Sequence, residues 1–159
     1  MLLKEVEVKG EKVRRRLERH FSEWEKWGRV KQPFEKEVDV DGRLLKVRIE
    51  EVEAGVKQSK TREHLVVKVR VKVEEDGRKT IVEKEARFFK NGGRVYGYVN
   101  IHGNTEEERK ADYIHTAAVL KALGVESWSR WENQIRLTRG ALDALMKLEP
   151  VCKALELCG

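Results

Sequence analysis

No apolar run in the chain approaches the ~18 residues that a membrane-spanning helix needs, and the start, MLLKEVEVKG, lacks the hydrophobic region of a secretory signal. The expectation is a cytoplasmic protein with no membrane partner. Cysteine occurs only twice, as Cys152 and Cys158, with no second pair and no histidine nearby in sequence to complete a four-ligand zinc site. A mutual disulfide and two separate thiols both remain open. The familiar catalytic signatures are missing as well. There is no glycine-rich phosphate loop, Cys-x-x-Cys, His-Glu-x-x-His or Gly-x-Ser-x-Gly elbow, so no catalytic residue, metal ligand or cofactor is expected. Side-chain amides are scarce, with four Asn and three Gln, whereas Asp, Glu, Lys and Arg make up 39% of the chain, against about 25% in a typical domain. A Lys-, Arg- and Glu-rich surface poor in amides suits ion-pair networks that must hold at high temperature, and points to a thermophile.

A length of 159 residues is enough for one domain with its own core. The net charge of +6 is unevenly placed. Residues 1–33 and 54–73 carry net +4 and +5, residues 34–53 carry −3, and residues 104–159 come to −1. Positive charge is therefore concentrated in two segments, and the C-terminal third reads as structure first.

Alternation in Glu5-Val6-Glu7-Val8 predicts a short opening strand ended by Gly10. From Glu11 the period becomes helical. Val13, Leu17, Phe21 and Trp24 form one apolar stripe over 11–27, and Lys12, Arg15, Arg19 and Lys26 form a basic ridge opposite. The ridge reads equally as a solvated face laced by four-apart ion pairs. Beyond Pro33, Asp41-Gly42 and Asp76-Gly77 each suit a two-residue type I′ hairpin loop. That choice fixes register. It sets Val38 opposite Leu45 and Phe34 opposite Ile49, then Val71 opposite Val82 and Leu65 opposite Phe88. The other face pairs Glu37 with Lys46, Glu35 with Arg48, Arg70 with Glu83 and Lys68 with Glu85. Odd-numbered side chains of 65–73 thus point inward, and their even neighbours form an open platform. Lys84 falls on the apolar side and is expected at a sheet edge, where its stem can snorkel.

A third turn at Asn91-Gly92-Gly93 leads into a strand over 94–101, with Gly97 making room for Phe88. Thr105 and Glu108 form a capping box, and Gly124 ends the helix they open. Ala111, Ile114, Ala118 and Ala122 supply its small-residue face. Gln134–Thr138 alternates as a strand, Ala141–Leu148 is a short helix ended by Pro150, and a last helical turn follows. The predicted fold is α+β in a single domain, 1–159. A mainly antiparallel β-sheet of five to seven strands has about three helices (11–27, 106–123, 141–149) on one face. Within it, 1–32 hold the opening strand and basic helix, 34–102 the hairpins, and 105–159 a helix-strand-helix.

Three functional readings follow. In the first, the platform binds nucleic acid. Lys57, Lys60 and Arg62 in the loop 55–63, with Arg70, Lys72 and Arg87, would neutralise phosphates, while Tyr96 and Tyr98 would stack on bases or sugars. The cross-strand carboxylates argue the other way, and leave Lys57, Lys60, Arg62, Lys72 and Arg87 as unpaired positive charge. In the second, Trp24, Trp27, Trp128 or Trp131 anchors a protein partner or a second copy, which would make a homodimer. The third brings Asp112, His115 and His102 together as a metal-dependent nuclease, against which stand Asp112 as a helix-dipole partner and the histidines as ordinary surface residues.

The stretches 86–98 (ARFFKNGGRVYGY), 111–113 (ADY), 121–125 (KALGV) and 142–152 (LDALMKLEPVC) resemble the PaRep-two-b family, repeat-encoded proteins of hyperthermophilic archaea. The resemblance covers roughly residues 54–159 and implies an archaeal source, but no activity and no functional residue. The order of hairpin, helix ending in 120–125 (LKALGV), strand 134–138 and helix closed by 148–150 (LEP) is also similar to the half-domain of LAGLIDADG homing endonucleases. That likeness implies a saddle-shaped sheet gripping DNA. No small-residue helix ending in Asp-Gly or Glu-Gly precedes the first hairpin, so the likeness implies binding without cleavage.

Overall fold

The computed structural model describes residues 34–58, 63–91 and 93–154. The opening strand, the basic helix 11–27 with Trp24 and Trp27, Lys60, Arg62 and Cys158 lie outside the described residues.

Seven strands form one antiparallel sheet: β1 Phe34–Val40, β2 Arg43–Gln58, β3 Glu63–Glu75, β4 Arg78–Asn91, β5 Arg94–Asn100, β6 Ser129–Trp131 and β7 Gln134–Thr138. Their order is β1-β2-β3-β4-β5-β7-β6. Both Asp-Gly turns have positive φ at each central residue, 52° and 82° at Asp41-Gly42 and 50° and 79° at Asp76-Gly77. This is the type I′ geometry whose twist matches the flanking strands. Register follows as the turns dictate, with Val38 opposite Leu45, Phe34 opposite Ile49, Val71 opposite Val82 and Leu65 opposite Phe88.

One irregularity lengthens the sheet. A bulge at Glu50 shifts the β2–β3 register between Ile49 and Glu51. Before it Leu45, Val47 and Ile49 are buried, and after it Val52 and Ala54 are. The extra residue reverses parity, so the Ile-Glu-Glu-Val run stays in the strand while its visible alternation breaks. Lys57 consequently lies on β2 opposite His64 rather than in a loop.

Helices α1 (Glu106–Ala122), α2 (Arg139–Leu145) and α3 (Glu149–Ala154) pack on one face of the sheet. Thr105 caps α1 by accepting from Glu108 N at 3.1 Å, while Glu108 Oε2 accepts from Asn104 N. At the other end Gly124 adopts φ 92°. Val125 N donates to Leu120 O and Gly124 N to Lys121 O, a Schellman closure. Ala111, expected in the buried stripe, is exposed, and the face that packs is Ile114, Ala117, Ala118 and Leu120. Pro150 does not end a helix but sits in the first turn of α3, where its missing N–H costs nothing.

Lys84 is not at an edge. It lies on β4, the middle strand of the seven, buried on the helix side. Its Nζ donates to Asp112 Oδ2 at 2.6 Å, so an ion pair with α1 stands where an exposed stem was expected. At the hairpin ends Arg43 Nε donates to Glu75 Oε2 at 2.7 Å, with a second bond from Nη2 to Oε1. These bonds raise the Arg43 pKa and lower that of Glu75. Among the described residues no helix is long and apolar enough to cross a membrane.

Candidate nucleic-acid interface

The face away from the helices is hollowed over β2–β5 into a groove of about 580 Å³. Its walls carry Glu51, Glu53, Glu83 and Glu85 against Lys68, Arg70 and Arg87, with Tyr98, Asn100 and His102 at the β5 side. Register explains the mixture, because Glu51 and Glu53 of β2 stand opposite Arg70 and Lys68 of β3, which in turn face Glu83 and Glu85 of β4. Lys68 lies 3.9 Å from Glu85 and Arg70 3.8 Å from Glu83. Lys68 and Arg70 are thus each flanked by carboxylates on both sides, and the groove repels a polyanion about as much as it attracts one.

The positions singled out from sequence are distributed as follows. Arg70 and Lys68 are exposed on the platform. Lys72 is half-buried between Arg48 of β2 and Ile81 of β4. Arg87, expected to be unpaired, is not. Its Nε and Nη2 both reach Glu85 Oε2, at 2.8 and 2.7 Å. The partner sits two residues along the same strand and face, a relationship that cross-strand register does not reveal. Tyr96 and Tyr98 lie on the outer face of β5, Tyr96 with 36% of its surface exposed. The platform is not open along its whole length, because His64 (7% exposed) and Val66 (2%) are buried although they share the outward parity of Lys68 and Arg70.

That buried end is aromatic. His64 stacks on Phe89 with ring centroids 4.9 Å apart, and Phe89 stacks on Tyr96 at 5.6 Å and on Tyr98 at 6.0 Å, all within 21° of parallel. Rings this close and this parallel are offset-stacked, each turning a face to its neighbour. The column runs across β3, β4 and β5 because His64, Phe89 and Tyr96 are successive cross-strand partners. On the opposite face of the same strand pair Gly97 makes room for Phe88, since a Cβ there would lie 2.6 Å from Phe88 Cδ1.

The sheet continues from β5 to β7, which sets Tyr96 opposite Thr138 and Tyr98 opposite Arg136. Arg136 leans away from the tyrosines. Its guanidinium lies 4.0 Å from the ring centroid of Trp131, which is 52% exposed on β6, and its Nε donates to Gln134 Oε1 at 3.2 Å. Arg94, exposed, begins β5. Arg130 has the opposite parity and lies over the Tyr113 ring of α1 at 4.0 Å, while Trp128 Nε1 donates to the Tyr113 hydroxyl at 3.2 Å. Arg136, Trp131, His64 and Phe89 are absent from the sequence-derived site. His64 and Phe89 had a signal, being rings at outward positions, and Trp131 was singled out only as a protein anchor, whereas Arg136 had no signal before β7 was known to pair with β5.

Asp112 and His102 do meet, but through the main chain, since His102 N donates to the same Asp112 Oδ2 that holds Lys84. His115 is half-buried on α1, and burial lowers its pKa from 6.5, opposed by the charges of Asp112 and Glu75. Among the described residues no three His, Cys, Asp or Glu side chains are arranged to hold a metal ion.

The chain matches no protein-family model, no curated protein and no solved structure.

Proposed function

We propose that this protein binds nucleic acid, DNA in the first instance, on the outer face of its sheet at the β4–β5–β7 end. The observation that carries the reading is the ring column His64–Phe89–Tyr96/Tyr98, which ends beside Arg136 and Arg94 on a surface otherwise patterned in neutralised charge pairs. Rings supply stacking that every base can use, and nearby guanidinium groups supply phosphate attraction. The cations of the central groove contribute less than the sequence suggested, because carboxylates flank them.

The test is a binding titration on duplex and single-stranded DNA over a range of salt. Measurable affinity at low salt that falls linearly on a log–log plot supports the reading. Affinity absent at low salt, or indifferent to salt, overturns it. A second reading, self-association through the exposed Trp131 of β6, rests on that side chain's 52% exposure at the end of the strand order. Sedimentation at rising protein concentration tests it, and a strict monomer removes it.

A further inference from the structure

We propose that Arg48 and Lys72 form an oxyanion site for one phosphate group, on the outer face of the sheet and apart from the ring column. The inference goes beyond the nucleic-acid reading and does not need it, since Lys72 is eight residues along β3 from His64, about 27 Å at the usual rise. It starts from the rule by which charge is laid out on the sheet. Wherever Asp, Glu, Lys or Arg face one another across the described strands the signs are opposite, as at Glu51–Arg70 and Glu74–Lys79, with one exception. Arg48 of β2 stands directly opposite Lys72 of β3. Like charges so placed are destabilising, and directly opposite Cβ atoms are about 5 Å apart, so both charged ends can reach a single anion.

The carboxylates best placed to neutralise the pair are engaged elsewhere. Glu35 is the cross-strand partner of Arg48 on β1, yet its Oε1 lies 3.6 Å from Lys46 Nζ. Glu74, two residues along β3 from Lys72, has its Oε1 3.8 Å from Lys79 Nζ. On β4 the position facing Lys72 is Ile81, 52% exposed, which offers no charge. Arg48 and Lys72 therefore make no ion pair among the described residues. Both line a hollow of about 520 Å³. Lys72 is half-buried, which limits the freedom of its side chain, while Arg48 is exposed and keeps its fork open to a ligand. A guanidinium can hold two oxygens of a phosphate side by side, and an ammonium beside it can hold a third. Glu50, the bulged residue, lines the same hollow and is its one carboxylate that no cation holds among the described residues. It opposes an anion, and the site is correspondingly one of modest affinity.

The probe is inorganic phosphate, titrated into the full chain against chloride of matched ionic strength and followed by two-dimensional amide NMR, whose spectrum also shows that each variant is folded. Signals of β2 and β3 around Arg48 and Lys72 should shift saturably with phosphate and not with chloride. Arg48→Gln and Lys72→Met should each weaken phosphate binding about tenfold, and Glu50→Gln should strengthen it several-fold. A salt series with oligothymidylate separates two sources of the phosphate group. If it belongs to a nucleic-acid backbone, Lys72→Met also lowers the slope of log affinity against log salt by about 0.7. If it belongs to a free or small-molecule phosphate, that slope is unchanged while phosphate binding is lost. Failure of any nucleic acid to bind would end the reading above and leave this site standing. Phosphate binding that is absent, matched by chloride, or equal in the parent and both cation variants overturns the site itself.

Discussion

Lys84 Nζ stands 2.6 Å from Asp112 Oδ2 and 3.4 Å from Asn100 O, joining the middle strand of the sheet to α1 and to the end of β5. The lysine side chain is 8% exposed and the aspartate 23%, so the pair is shielded on one side only. Removing the cation leaves a carboxylate that keeps His102 N as a donor and some water. Lys84→Met is therefore expected to cost about 1–3 kcal/mol, below the 3–5 kcal/mol of a fully buried pair. Lys84→Met combined with Asp112→Asn should cost less than the sum of the single changes. Urea denaturation of the four proteins gives the coupling, and additive costs would show the pair to be energetically idle.

His115 gives the protein a stability slope in the weakly acidic range. Burial holds its folded-state pKa below the ordinary 6.5, with Asp112 and Glu75 pulling up and Arg43 and Lys84 pushing down. Well above pH 6.5 the imidazole is neutral in both states and contributes no slope. As pH falls below that value the unfolded chain takes up the proton first, so stability declines until the folded-state pKa is passed. His115→Gln should lose less stability than the parent between about pH 7.5 and pH 5.5, a span that brackets the free imidazole pKa. Equal losses in chemical denaturation would remove the assignment.

Gly97 lies between the two tyrosines and under Phe88. A methyl group there would sit 2.6 Å from Phe88 Cδ1 and 2.7 Å from the Arg87 carbonyl oxygen. The side chain can yield, but the carbonyl is fixed in the β4–β5 ladder. Gly97→Ala should destabilise by about 1–3 kcal/mol, and Phe88→Leu should fail to restore it. Full rescue in thermal melts would mean that only the ring was in the way.

Two Asp-Gly turns were enough to fix the register of β1–β2 and β3–β4 from sequence, because a two-residue loop leaves one alignment and alternation assigns the faces. Helix α1 was legible through Thr105, Glu108 and Gly124 for the same reason, that capping is local chemistry. Glu50 was not legible. A bulge hides in a run that only looks as if the strand has ended, so Lys57 seemed to belong to a loop. Lys84 was misplaced because its partner lies 28 residues on, where no pattern in β4 could disclose it. The same limit divided the site. Tyr96 and Tyr98 could be put on one face of β5 by parity, but their neighbours Thr138 and Arg136 arrive through a pairing that bypasses α1 altogether. Sequence charge counting even marked residues 104–159 as nearly neutral, since Arg136 was averaged with acids such as Glu106, Glu107, Glu108 and Asp112 that lie on α1.

The location of the positive charge that matters is itself testable, by comparing Arg136 with Arg70. Arg70 has Glu51 and Glu83 as cross-strand neighbours and lies 3.8 Å from the latter, so a phosphate approaching it must displace or tolerate both carboxylates. Arg136 has Tyr98 and Ser129 as cross-strand neighbours and rests on the Trp131 ring, its Nε donating to the neutral Gln134, so no carboxylate across the strands opposes an anion there. Each phosphate contact on a single strand contributes about 0.7 to the slope of log affinity against log salt. Arg136→Ala should therefore lower that slope by about 0.7, whereas Arg70→Ala should leave it unchanged at equal stability. The opposite ranking in salt titrations of the two variants would return the binding surface to the central groove.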